Sequence, residues 1–340
     1  MKKILVVTLF SLFSFSPLHA QESTIYVSVL ASRLFVVGAA NSQTGIYYQR
    51  PSEDTTWHYL GARNIRAFGL AVHPPARGQL IYIASGNGAL RTLDGGKNWK
   101  ITTGWEITEV LAVCIDPKDE RTVYLSTAYG IHKTSDGGAS WQQVNRGLVD
   151  PFSTCVIVDH ANSNVVYCVT EGGVFGSSDG AQNWQRLGLS VANIRVMAQH
   201  PRDPQMLVAG TENNGIYISR DRGRVWTKSN VGVDHNTFYA IAFDPNQPEI
   251  MYAGGFVSGV YKSMNGGKSW VGYHEGLTNM NIHSLAVDPA SSNRVYAGTI
   301  WGGIFRSDNG GVTWRPAGLS GAQVWRISMQ PFFKNSLLPE

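Results

Sequence analysis

TSDGGASW, residues 134–141, is a run of small and polar residues that ends in tryptophan. The chain repeats it with variations as TLDGGKNW (92–99), SSDGAQNW (177–184), SRDRGRVW (219–226), SMNGGKSW (263–270) and SDNGGVTW (307–314). The closing tryptophans are Trp99, Trp141, Trp184, Trp226, Trp270 and Trp314, separated by 42, 43, 42, 44 and 44 residues. A further step of 42 backwards lands on Trp57, in PSEDTTWHYL (51–60), a copy that keeps the tryptophan without the glycines. Seven units of this period, each with several short apolar runs, predict an all-β fold: a seven-bladed β-propeller of four-stranded antiparallel blades.

A second landmark supports the count. Seven short apolar stretches, most ending in Asp-Pro or a relative of it, lie at 67–74, 110–117, 153–160, 194–201, 238–245, 282–289 and 324–331. Each reads as the innermost strand, A, of a blade. Strands B and C follow, then the octapeptide turn, then strand D from the tryptophan. The last stretch, 324–331, has no turn after it, and the first turn-like unit has no such strand before it. Pairing the two closes the ring: 324–331 becomes the innermost strand of a blade whose other three strands come from 33–60. Closure removes two open sheet edges. TIYVSVL (24–30) also reads as a strand, and either competes for the innermost place or adds an extra strand.

Within the turn, the Asp accepts backbone N–H groups and the glycines allow positive φ where the chain reverses. The tryptophan packs beneath the turn. Asn265 and Asn309 keep the acceptor without the charge, which suits a hydrogen-bonding cap rather than an acid catalyst. The pattern S/T-x-D/N-x-G-x-x-W resembles the Asp-box, or bacterial neuraminidase repeat. Asp94, Asp136, Asp179 and Asp221 match it, with Ala181 in place of a glycine in the third copy. The resemblance covers nearly the whole chain after residue 20. It implies the propeller fold and leaves function open, because sialidases, family 74 glycosidases, sortilin-type receptors and Ycf48-type photosystem II assembly factors all carry the repeat. The even spacing is most similar to the Ycf48 group and related exported bacterial proteins. That implies a non-catalytic binding or assembly scaffold. The alternative is a glycoside hydrolase, sialidase-like or family 74-like. Sialidases imply an Arg-Ile-Pro strand, and here Arg63 and Arg66 flank Ile65 with no such proline. Family 74 implies catalytic aspartates in a cleft between two propellers, and this chain has room for one.

Lys2 and Lys3, the apolar run 4–16, then Pro17 and Ala20 have the layout of a signal peptide over 1–20, with the propeller over 21–340. Export to the periplasm or the medium is expected. Without that segment the formal charge falls from +4 to +2, with 26 basic residues against 24 acidic. This charge implies no nucleic-acid partner. No later run is long enough to span a membrane. A monomer that binds a protein or glycan is expected. Neither cofactor nor metal is implied, since no Cys/His spacing suggests zinc. Cys155 and Cys168 lie on successive strands around a short connection, and a disulfide between them is open to either outcome.

Propeller ligands sit by default on the face of the D–A and B–C loops, around the central channel. The ligand-binding candidates there are Trp105, Tyr129, Arg195, Tyr239, Phe256, His283, Trp301 and Trp325. Equivalent positions on the seven A strands, Phe68, Leu111, Thr154, Arg195, Tyr239, His283 and Trp325, mark the channel mouth. An aromatic face with scattered carboxylates suits sugar rings or an extended peptide. A glycosidase needs a pair of carboxyl groups. Glu171 and Glu212, on matching loops of adjacent blades, are the weak candidates.

Overall fold

The B strands Ile81–Ser85, Val166–Thr170, Leu207–Thr211 and Met251–Gly255 are buried at every position. Both faces of such a strand meet protein, so the sequence is continuously apolar or small rather than alternating. The D strands are the opposite: Lys100–Ile101, Gln142–Gln143 and Gln185–Arg186 are two residues long and exposed. Short edge strands of this kind leave little backbone open to another chain.

The computed structural model describes residues 22–32, 44–51, 54–73, 79–191 and 193–332, and they form seven four-stranded antiparallel sheets arranged as a propeller. Blades 1 to 6 begin with their A strands at Ala67–Val72, Val110–Asp116, Ser153–Val158, Ile194–Gln199, Ala240–Phe243 and Ile282–Asp288. Blade 7 joins the two ends of the chain, in the order Ala322–Phe332, Glu22–Ser32, Gly45–Gln49, His58–Gly61. The C-terminal strand is innermost, as its apolar pattern predicts. The other three strands do not all come from 33–60, however: the second is Glu22–Ser32. It pairs with the last strand from Glu22↔Phe332 to Ser32↔Ala322 and with Gly45–Gln49 on its other side. Ile25, Val27 and Val29 are fully buried there, which a strand needs when it is covered on both faces. The expected signal segment and residues 33–43 lie outside the described residues.

The octapeptide turn joins blades. In the copy at 134–141, Thr134 Oγ1 donates to Asp136 Oδ1 (2.7 Å), and Ser140 N donates to the same oxygen (2.9 Å). The carbonyl of Gly137 accepts from Tyr82 Oη of the preceding blade (2.7 Å) and from Arg91. The Trp141 indole N–H donates back to the carbonyl of Thr102 (3.1 Å). Trp99, Trp184 and Trp314 make the same backward bond, to Leu60, Val144 and Tyr273. Trp57, in the copy without glycines, still reaches Ala317 (2.7 Å) and so ties blade 7 to blade 6. The blade 3–4 joint lacks these ties. Trp226 bonds Gly223 of its own turn, the Tyr167 hydroxyl is buried without a partner, and Gly176 stands where Lys133 or Lys262 supplies a cation elsewhere.

Hydrogen bonds hold the turn carboxylates below the ordinary range, Asp94 and Asp179 at about 2 and Asp136 lower still. Such a group stabilises the fold above its unfolded value of 3.8 and loses that contribution as pH falls through the folded value. The urea midpoint is therefore expected to drop between about pH 4 and pH 2. Asp94→Asn, which imitates Asn265 and Asn309, is expected to flatten part of that slope while leaving the neutral-pH midpoint nearly unchanged. Urea titrations at several pH values check this, and an unaltered slope in the variant would count against it.

The open disulfide is settled by register. Cys168 opposes Val156 while Cys155 opposes Val169. Neighbouring residues of a strand point to opposite faces, so the two sulfurs lie on opposite sides of the blade. Cys114, Cys155 and Cys168 are all free. Burial raises each thiol, Cys114 to about 11, which makes them packing groups rather than nucleophiles.

Candidate functional site

The seven A-strand positions read as the mouth all line one cavity of about 500 Å³, with Phe152, Glu212, Ile300 and Gln323 completing it. A backbone irregularity recurs at six of them. The ladder skips Phe68, Leu111, Thr154, Arg195, His283 and Trp325, so that Ala67 and Gly69, for example, pair with consecutive residues of the next strand. Each is a β-bulge. A bulge leaves its extra residue outside the ladder and turns it off the sheet face, here toward the axis. Tyr239, the seventh, immediately precedes its strand and donates its N–H to Gly254.

The mouth is divided chemically. Blades 5, 6, 7 and 1 contribute an unbroken aromatic arc. The Tyr239 and His283 ring centres are 5.5 Å apart and the His283 and Trp325 centres 3.9 Å, with planes within about thirty degrees of parallel. Phe68 meets Trp325 edge-on at 6.0 Å. Blade 4 contributes a charged pair: Arg195 donates from Nε to Glu212 Oε2 (2.8 Å), and its Nη2 reaches the same oxygen. Thr154 and Leu111 fill the remaining two positions.

His283 Nδ1 lies 3.1 Å from the carbonyl of Trp325. A carbonyl only accepts, so Nδ1 carries the proton and Nε2 keeps its lone pair. Burial pushes the imidazole down to about 4, against the upward pull of that hydrogen bond. It is neutral at pH 7 and serves as a flat, weakly polar ring. Burial also raises the Tyr239 phenol, with the Glu212 charge adding to the shift.

Of the loop-face candidates, Arg195, Tyr239, His283 and Trp325 share this cavity. Trp105, Tyr129 and Phe256 do not line it: they stand exposed on their loops, Trp105 at 87%. Trp301 sits beside Ile300 in a left-handed conformation (φ 68°) and does not line it either. The structure separates the two weak acid candidates. Glu212 lines the cavity, bound to Arg195, while Glu171 is exposed outside it. Among the described residues, no three His, Cys, Asp or Glu side chains are grouped to hold a metal ion, and no helix is long and apolar enough to cross a membrane. Sequence reasoning missed Gln323, Ile300 and the channel residue Arg326. Position next to Trp325 was the available signal for Arg326.

A chain of this architecture has known counterparts. The sequence model of the DUF6242 beta propeller domain matches residues 13–238, and the chain belongs to that family. No curated protein matches it. Among solved structures it is similar to the GH74 xyloglucanase from Xanthomonas campestris, with a TM-score of 0.68 and 19% identity, over 89% of this chain and 53% of that one. It is also similar to YCF48 bound to D1 peptide (TM-score 0.57, 17% identity, 78% and 93%). A third is the extracellular domain of BT4673 from B. thetaiotaomicron (TM-score 0.63, 16% identity, 84% and 40%). An ancestral GH74 enzyme is covered over 35% of its length, so this chain spans about a third to a half of the GH74 enzymes it matches. At these identities the likeness is one of fold. That fold is shared by GH74 enzymes and by YCF48, which binds a D1 peptide.

Proposed function

We propose that this is an exported glycan-binding protein that seats a sugar ring at the channel mouth. The observation that carries the reading is the arc of Tyr239, His283 and Trp325, of which His283 and Trp325 stand on β-bulges above the channel. Flat, uncharged rings present the apolar surface on which the C–H face of a sugar stacks. Glu212 and Arg195, across the mouth, supply an acceptor and donors for hydroxyl groups. The cavity has the volume of a small-molecule site.

The test is calorimetric titration with a panel of plant and bacterial oligosaccharides. Trp325→Ala is expected to weaken the best ligand about 30-fold, the loss typical of a central aromatic anchor. An alanine variant that binds every sugar as the wild type does would remove the mouth from consideration. Capture of a peptide in place of any sugar would favour the second ligand class, for which the likeness to peptide-bound YCF48 is the support.

A second functional reading is a glycoside hydrolase, supported by the likeness to the GH74 xyloglucanase and by Glu212 in the cavity. Against it, hydrolysis by either stereochemical course needs two carboxyl groups, and Glu212 is the one carboxylate among the described lining residues. The same panel followed for new reducing ends decides it. The reading requires turnover that Glu212→Gln abolishes.

A further inference from the structure

Beneath the mouth, the channel holds a cation that the stacking site leaves unused. Arg326 follows Trp325 on the closing strand and lines the channel below the aromatic arc. It is exposed to the lumen, and no side chain or carbonyl among the described residues pairs with it. Leu70, Ala112, Val113, Val156 and Val196 are among the apolar walls, and no carboxylate among the described residues lines this stretch. Glu212, the one acid among the described residues at the mouth, is already engaged by Arg195. Burial is the main influence on His283 in blade 6, Cys114 in blade 2 and Cys155 in blade 3, yet the Arg326 charge acts on all three. Blades 2 and 3 are not neighbours of blade 7, which agrees with the channel lining in placing the guanidinium in the lumen rather than along its own blade.

A single sign of charge between low-dielectric walls concentrates its field on whatever enters. A guanidinium accepts nothing, and its planar fork matches the two oxygens of a carboxylate. Neutral sugars offer it only hydroxyls. We propose that Arg326 anchors a carboxylate, and that the sugar seated on Tyr239, His283 and Trp325 is an acidic one, a hexuronate whose carboxylate enters the channel. This rests on the glycan reading of the mouth and names the class of sugar that it takes.

The test is titration of the full chain with trigalacturonate, its methyl ester and the matching neutral trisaccharide. The acid is expected to bind at least about tenfold more tightly than the other two. Arg326→Gln is expected to erase that margin. Arg326→Lys should keep part of it, since an ammonium retains the charge without the fork. Thermal melts show whether each variant is folded. Equal affinity for acid and ester in the wild type overturns the inference while the glycan reading stands. If no sugar binds, the glycan reading fails, and a peptide with a free C-terminal carboxylate is compared with its amide. Preference for the free acid, lost in Arg326→Gln, then upholds the anchor; no preference overturns it.

Discussion

Ending the chain at Gly321 is expected to abolish cooperative folding. The cut removes the innermost strand of blade 7 and with it the buried side chains of Ala322, Val324 and Ile327. It also strips the neighbouring strand from one edge of Ile25, Val27 and Val29, which are fully buried in the intact ring. Val324 and Ile327 alone are worth about 3–6 kcal/mol of burial. The net stability of a folded domain is about 5–15 kcal/mol. The lost ladder, from Glu22↔Phe332 to Ser32↔Ala322, adds to the deficit and leaves a long open edge. Urea unfolding followed by tryptophan fluorescence checks the expectation. A shortened chain that unfolds in one transition at the full-length midpoint would show that closure contributes little.

The second large effect is expected from Asp288→Ala, with a loss of about 3–5 kcal/mol. Asp288 is fully buried at the end of the blade 6 A strand. It accepts from Ala290 N (2.8 Å), from Arg294 Nη1 (2.8 Å), and from Ser23 Oγ of blade 7 (2.5 Å). Alanine leaves the half-buried Arg294 without this partner and cuts the tie between the first strand and the sixth blade. Asp288→Asn keeps the acceptor for Ser23 and Ala290 and should cost visibly less. If the two variants melt alike, the charge pairing with Arg294 outweighs the tie to blade 7. If neither shifts the midpoint, the joint is not a stabilising one.

Asp288 also shows how far the sequence could be read. Asp-Pro was legible as a landmark that marks the end of an A strand. Its work as a joint was not. Asp116 accepts from Ser163 of the next blade, Asp244 from Ser292 and Asp288 from Ser23, at separations of 47, 48 and 265 residues. No local pattern pairs a serine with an aspartate at such distances. The octapeptide is similar: its internal bonds from Thr134 to Ser140 follow from spacing, whereas its Tyr82 and Trp141 ties depend on which blade lies alongside. Among the site candidates, Arg195, Tyr239, His283 and Trp325 occupy equivalent positions of the repeat and are legible from its period. Trp105, Tyr129, Phe256 and Trp301 lie on loops, whose direction is not set by the period.

The amino-acid order by itself determined the blade count, the place of each turn and the innermost strand of every blade, because a repeat of 42–44 residues with a fixed tryptophan records one structural unit each time. Tertiary structure alone decided the partner of the closing strand. Glu22–Ser32 and the segment after it both offer apolar residues, and only the packed ring selects between them. It also decided how the mouth residues leave the ladder, since a bulge appears when one strand's register is laid against another's. Both choices rest on contacts between residues far apart in the chain, and strand pairing carries no local mark of its partner.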